Sequence, residues 1–183
     1  MRYTYDWEFL EDGKTIQGIS MGMVNIDRPE KELYLVFNDF DTRAVAKNWW
    51  LMENVMSSIE HVTSVSVDFH GAPVVRDLLV TEPNSVTREE GAQRLMEFVY
   101  GDTDIEWWNW YGAYDHVALC QLFGKMIDLP KGFPMWSNDI KQLHKAKGYP
   151  QMPQQPKGKH NALADARFNI ERIKFLESLP DKK

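Results

Sequence analysis

The chain has 183 residues, among them seven Trp, seven Tyr and nine Phe, with a net charge of −6. That length buries about 70% of its unfolded surface and needs no staples, while the acidic balance argues weakly against broad nonspecific nucleic-acid binding. The lone Cys120 excludes an intramolecular disulfide; with no signal-peptide core and no long apolar run, the chain reads as a soluble, cytoplasmic protein without a membrane segment.

Arg2–Leu10 is rich in aromatics and short enough for one strand. Alternation puts Tyr3, Tyr5, Trp7 and Phe9 on one face and Thr4, Asp6, Glu8 and Leu10 on the other. Asp6 and Glu8 then stand side by side on an otherwise apolar strand, where their burial costs free energy. A hard divalent cation between them, Mg²⁺ or Mn²⁺, relieves that cost. Taken alone, the strand fits an exposed edge with two solvated acids better.

An Asp12-Gly13 turn leads to a second strand over Thr15–Ile26, with Gly18, Ser20 and Gly22 on one face. A turn at 27–30 precedes a third strand, Glu32–Phe37. These links are too short for crossovers, so the three strands form an antiparallel meander. Asp41–Ile59 reads as partly helical, capped by Asp41 or Thr42. Residues 61–84 read as an inserted hairpin followed by a loop. Thr87 and Glu90 form a capping box for a helix over Arg88–Tyr100. Asp104–Tyr111 is a strand, Tyr114–Phe123 a helix and Phe133–Ser137 a short last strand. A helix capped by Asn138 or Asp139 ends near Lys147, and a proline-bearing loop follows. The final helix runs from Asn161 to Leu179 with Leu163, Ala166, Ile170, Ile173 and Leu176 on one face. The expected architecture is one α/β domain over residues 1–183. It is a five-stranded mixed sheet, three antiparallel strands and then parallel ones, flanked by helices.

Three further positions look unlike packing residues. Asp115 enters a helix after a Trp-rich strand, His160 sits in a Gly-Lys-His-Asn loop, and Asp165 lies between Ala164 and Ala166 at the start of the last helix. Each has a bland reading: a helix cap, a solvated histidine, an acid among helix formers. Their combined order is more specific: Asp-x-Glu on the first strand, an aromatic-Asp at a helix start, then His-x₄-Asp. In these stretches, 6–13, 111–124 and 160–167, the sequence resembles the DEDDh branch of the DnaQ-like 3′-5′ exonucleases. Within it, the chain is most similar to the polyadenylate-specific exoribonuclease AS group, related to RNase T. Trp7 between the two acids and Asn161 after the histidine depart from that pattern; neither position is a presumed ligand.

The resemblance implies an RNase H-like fold and a two-Mg²⁺ phosphodiesterase, with Asp6, Glu8, Asp115 and Asp165 as ligands and His160 as the general base. Histidine titrates near neutrality, where a base is most useful. It also implies a homodimer acting on single-stranded RNA 3′ ends, adenosine-rich ones above all, releasing nucleoside 5′-monophosphates. Phe9 and Leu10 stand where related enzymes wedge terminal bases, and Tyr114 and His116 flank Asp115. Lys157 and Lys159 belong to a run of five lysines without acids between Ile140 and His160, which reads equally as a phosphate track or a solvated face. Trp107, Trp108 and Trp110 read as core. The competing readings are a DNA-directed 3′ exonuclease, a non-catalytic nucleic-acid-binding module on the same fold, and a Trp-rich carbohydrate-binding domain.

Overall fold

A computed structural model describes residues 1–60, 62–67, 75–80 and 85–180. At its centre is a mixed six-stranded sheet. Strands β1 (Arg2–Glu11), β2 (Ile16–Asn25) and β3 (Glu32–Phe37) form the antiparallel meander that the short links require. β4 (Val62–Val67) and β5 (Val75–Val80) pair antiparallel in a separate two-stranded sheet; the expected turn between them and the loop at 82–84 lie outside the described residues. β6 (Ser85–Val86), β7 (Glu106–Asn109) and β8 (Asn138–Asp139) complete the main sheet in the order β6-β3-β2-β1-β7-β8. All three join it by parallel pairing.

The strand count corrects the sequence expectation of five. β6, expected as loop, and β8 are two residues long, too short for any hydrophobic period to register. The expected strand at Phe133–Ser137 is irregular. Pro134 cannot donate to a ladder, and Phe133 instead sets its ring edge-on to Trp107 and Phe123, at 5.3 and 5.5 Å.

Helices α1 (Thr42–Lys47) and α2 (Trp49–Asn54) start from the side chains of Asp41 and Asn48, and a 3₁₀ turn at Met56–Ser58 follows. α3 (Arg88–Phe98) has the full Thr87/Glu90 capping box. α4 (Ala113–Gln121), α5 (Ile140–Ala146) and α6 (Ala162–Glu177) follow. Two clusters cover the two faces of the sheet. Tyr3, Tyr5, Trp7, Met21, Leu35 and Trp107 pack with Leu95 of α3 and Leu119 of α4. On the other face, Val24 and Ile26 pack with Ile140 of α5 and the apolar stripe of α6. Trp7 accordingly lies in the first cluster, stacked on Phe37 at 5.3 Å. Among the described residues, no helix is long and apolar enough to cross a membrane.

Candidate functional site

The site is built on the middle of β1, between β2 and β7. Alternation sends Trp7 to the α3/α4 side and turns Asp6 and Glu8 toward α6. Directly across from Asp6 in the β1–β2 ladder is Gly22. A Cβ there would lie 2.2 Å from the Cα of Leu163 and 2.4 Å from the carbonyl carbon of Ala162. The missing side chain therefore lets the first turn of α6 rest on β2. Asn161 starts that turn by accepting the N–H of Ala164 at 3.0 Å, and Asp165 follows within it. Ligand oxygens of Asp6, Glu8 and Asp165 can consequently all lie within 4.8 Å of one another.

Asp115 reaches the same place from the first turn of α4. Its Oδ1 accepts the backbone N–H of Trp7 at 2.8 Å, tying the helix start to β1. Gly112 opens this helix because a Cβ there would sit 1.6 Å from Asn109 Oδ1. All four carboxylates line one cavity of about 600 Å³.

Burial and mutual repulsion set the electrostatics. Asp6 is pushed well above the carboxylate range by burial and then by Asp115, Asp165 and Glu8. Glu8 rises to about 8 from burial, with Asp165 and Asp115 adding to it. Asp115 rises to about 7 from burial, against the pull of its backbone hydrogen bonds. Asp165 is raised by burial, although hydrogen bonds from Gln155 and the backbone of His160 oppose the rise. Four such acids can all be ionised at neutral pH only beside added positive charge. Oxygen donors this close suit a hard divalent cation.

His160 stands at the cavity wall with φ of 63°. Its N–H donates to Asp165 Oδ2 at 2.7 Å, and its carbonyl accepts from the Ser58 hydroxyl at 2.9 Å. The imidazole is edge-on to Trp50, centroids 4.9 Å apart.

Of the residues picked out in the sequence, Asp6, Glu8, Phe9, Tyr114, Asp115, Lys159, His160 and Asp165 share the cavity wall. Phe9 and Tyr114 meet edge-to-face at 5.9 Å. Leu10, His116 and Lys157 are not on that wall. Leu10 packs against the core. His116 is turned inward, Nδ1 3.0 Å from the Tyr5 hydroxyl.

Sequence reasoning missed Trp110, Tyr111, Gln155 and Arg172, which also line the cavity. Trp107 is fully buried as expected; Trp110, past the end of β7, packs against the second core cluster and also lines the cavity. The signal for Arg172 was its spacing, seven residues after Asp165, which is two helical turns on one face. Tyr111 opens the resembling stretch 111–124 but carried no signal of its own for a place at the site; it is exposed with φ of 57°, its N–H held by Asp139 Oδ1 at 3.2 Å.

A family model described as a 3′-5′ exoribonuclease Rv2179c-like domain matches residues 1–176. Two relatives from Mycobacterium tuberculosis are each 37% identical over 183 residues, spanning 99% of this chain and 96% of their own length. They are 3′-5′ exoribonuclease MT2234.1 of strain CDC 1551 / Oshkosh and 3′-5′ exoribonuclease Rv2179c of strain ATCC 25618 / H37Rv. A solved structure, the yeast NOT1 MIF4G domain co-crystallized with CAF1, aligns at 14% identity with a TM-score of 0.46, over 95% of this chain and 79% of that one.

Proposed function

The chain belongs to the Rv2179c-like 3′-5′ exoribonuclease family, and from that premise we propose that it is a metal-dependent enzyme that removes nucleoside 5′-monophosphates from single-stranded RNA 3′ ends. The observation that carries this reading is the convergence of Asp6, Glu8 and Asp165 within 4.8 Å, with Asp115 on the same cavity. The donor set fits Mg²⁺: all oxygen, all acidic, and too crowded to be ionised without a counter-ion. Asp6, Glu8, Asp115 and Asp165 are the residues that would hold two such ions, and Mn²⁺ is the natural substitute. Bound there, the ions would supply Lewis acidity for the attacking water and offset charge on the leaving oxygen.

The chain's own residues do the rest. His160 takes the proton of the attacking water as general base. Asp165 has a second task, since its Oδ2 holds the His160 backbone and so couples the base to the ligand set. Swinging the imidazole off Trp50 brings it into play. Phe9 and Tyr114 offer an aromatic corner for the terminal base, where stacking is worth about 1–3 kcal/mol per base. Adenine stacks well, which favours adenosine-rich tails. The working assembly in this reading is a homodimer.

The test of substrate class is a comparison of initial rates on A-, C-, U- and G-tailed RNA and on A-tailed DNA of equal length. The fastest release of mononucleotide should come from A-tailed RNA. Equal rates on all RNA tails would remove the adenosine preference, and faster digestion of the DNA would move the enzyme to deoxyribonucleic acid with the same site.

A further inference from the structure

Beyond the four acids, the cavity wall carries a positive feature that the metal chemistry leaves unexplained. Arg172 projects from α6 onto the cavity. Its guanidinium lies 4.7 Å from the centroid of the Trp110 ring and 4.8 Å from that of Phe168, while Nη1 donates to Asn169 Oδ1 at 2.6 Å. Lys141 of α5 shares the same tryptophan: its Nζ is 5.1 Å from the Trp110 centroid and 5.5 Å from that of Tyr111. Apart from ring contacts, the Lys141 Nζ meets only His144 Nδ1 among the described residues, at 3.4 Å. Among the described residues, neither cation takes part in an ion pair.

This is unlike the other arginines near β1 and α6. Arg2 is bonded to Asp27 and Glu177, and Arg167 meets Glu32 with two donors. Arg172 is half-buried, so its unused donors are expensive to leave without an acceptor. Aromatic rings brace a guanidinium without using its donors; with Nη1 on Asn169, Nε and Nη2 remain to donate to a pair of phosphate oxygens. Because both cations are about 5 Å from one ring centroid, they stand no more than about 10 Å apart. Arg172 is on the cavity wall with Asp6 and Asp165, and Lys141, not itself on that wall, stands over the Trp110 and Tyr111 rings that are.

We infer that Arg172 and Lys141, braced on Trp110, bind successive backbone phosphates of the RNA strand upstream of the bond being cut. The strand then leaves the acid cluster past Arg172, crosses Trp110 and reaches Lys141. This path rests on the exoribonuclease reading and adds a direction to it. A simple countercharge for Asp6 and Asp165 would explain Arg172 alone; it gives no reason for the second unpaired cation on the same ring.

Fluorescence anisotropy of labelled single-stranded oligoadenylate in EDTA, at a series of salt concentrations, tests the path without turnover. Each neutralised phosphate contributes about 0.7 to the slope of log affinity against log salt on single strands. Arg172→Met and Lys141→Met should each lower the slope by about that amount, and the double variant by about twice it. Arg172→Lys should keep the slope. In steady-state kinetics with Mg²⁺, Lys141→Met should raise KM several-fold more on an octanucleotide than on a dinucleotide, which has no upstream phosphate. Slopes equal to wild type in folded variants, or the same KM loss at both lengths, would overturn the path. Should Arg172→Met fail to fold, the length dependence of Lys141→Met decides alone. Wild-type protein that releases no mononucleotide would sink the exoribonuclease reading instead, a different outcome from a wild type that cleaves with an altered path.

Discussion

Asp6 is the residue on which the others depend, because it faces all three remaining acids at once. Glu8 and Asp115, raised to about 8 and about 7, hold their protons more tightly folded than unfolded. The sign follows from linkage: their contribution to stability is full below the ordinary carboxylate range and is lost as pH rises through 7 to 8. Asp27 and Asp102, held below that range, act only at more acidic pH and leave this window alone; His116, lowered by burial, adds stability as pH rises towards 6.5 and offsets part of the fall. In EDTA the melting temperature should therefore fall by more than about 5 °C between pH 5 and pH 8. Asp6→Asn should flatten that fall, because it removes one of the repelling charges; a wild-type melting temperature that rises with pH in EDTA would refute the crowding. His160 answers to a different measurement. His160→Ala should lose roughly 10²- to 10⁴-fold in rate while keeping its metal affinity in calorimetric titration. An equal loss of both would make the imidazole a ligand rather than a base.

At the scale of elements, the site depends on how closely α6 approaches β2. Gly22→Ala must push a Cβ into the backbone of Ala162 and Leu163. The expected cost is about 1–3 kcal/mol in urea unfolding, with weakened metal binding as Asp165 moves away from Asp6. Unchanged stability would mean that α6 does not rest where Gly22 places it. Much of this was legible beforehand. The alternation of β1 separated Tyr3, Tyr5 and Trp7 from Asp6 and Glu8. Of the small residues expected on one face of β2, Ser20 and Gly22 lie across from Glu8 and Asp6, but Gly18, past the register shift at Glu8/Phe9, faces the Trp7 ring on the other side. The capping box at Thr87 and the stripe of α6 also declared themselves, because each is a local pattern of sufficient length. β6 and β8 did not, since a two-residue strand exists only through its neighbour. Trp110 was read with the core because its strand was expected to run to Tyr111; β7 ends at Asn109, and the ring both packs on the second cluster and lines the cavity.

Taken whole, the molecule brings together residues 6, 115 and 165 by the order of its sheet. β1 lies between its antiparallel partner β2 and its parallel partner β7, so a helix that follows β7 and one that crosses β2 both deliver their first turns to it. Ile127 and Trp136 are exposed, at 71% and 60%, apolar area that suits burial in an assembly. Light scattering at micromolar concentration should return about twice the chain mass, and a monomer would remove the homodimer from the account. The most direct test of the central claim is digestion of single-stranded RNA labelled at the 5′ or the 3′ end, by wild type and by Asp6→Asn, with Mg²⁺ and with EDTA. The expected result is immediate release of labelled mononucleotide from the 3′-labelled strand, a ladder shortening from the 3′ end on the 5′-labelled strand, and neither product with EDTA or with Asp6→Asn. Release that persists in EDTA, or an Asp6→Asn rate above about a tenth of wild type, would contradict it.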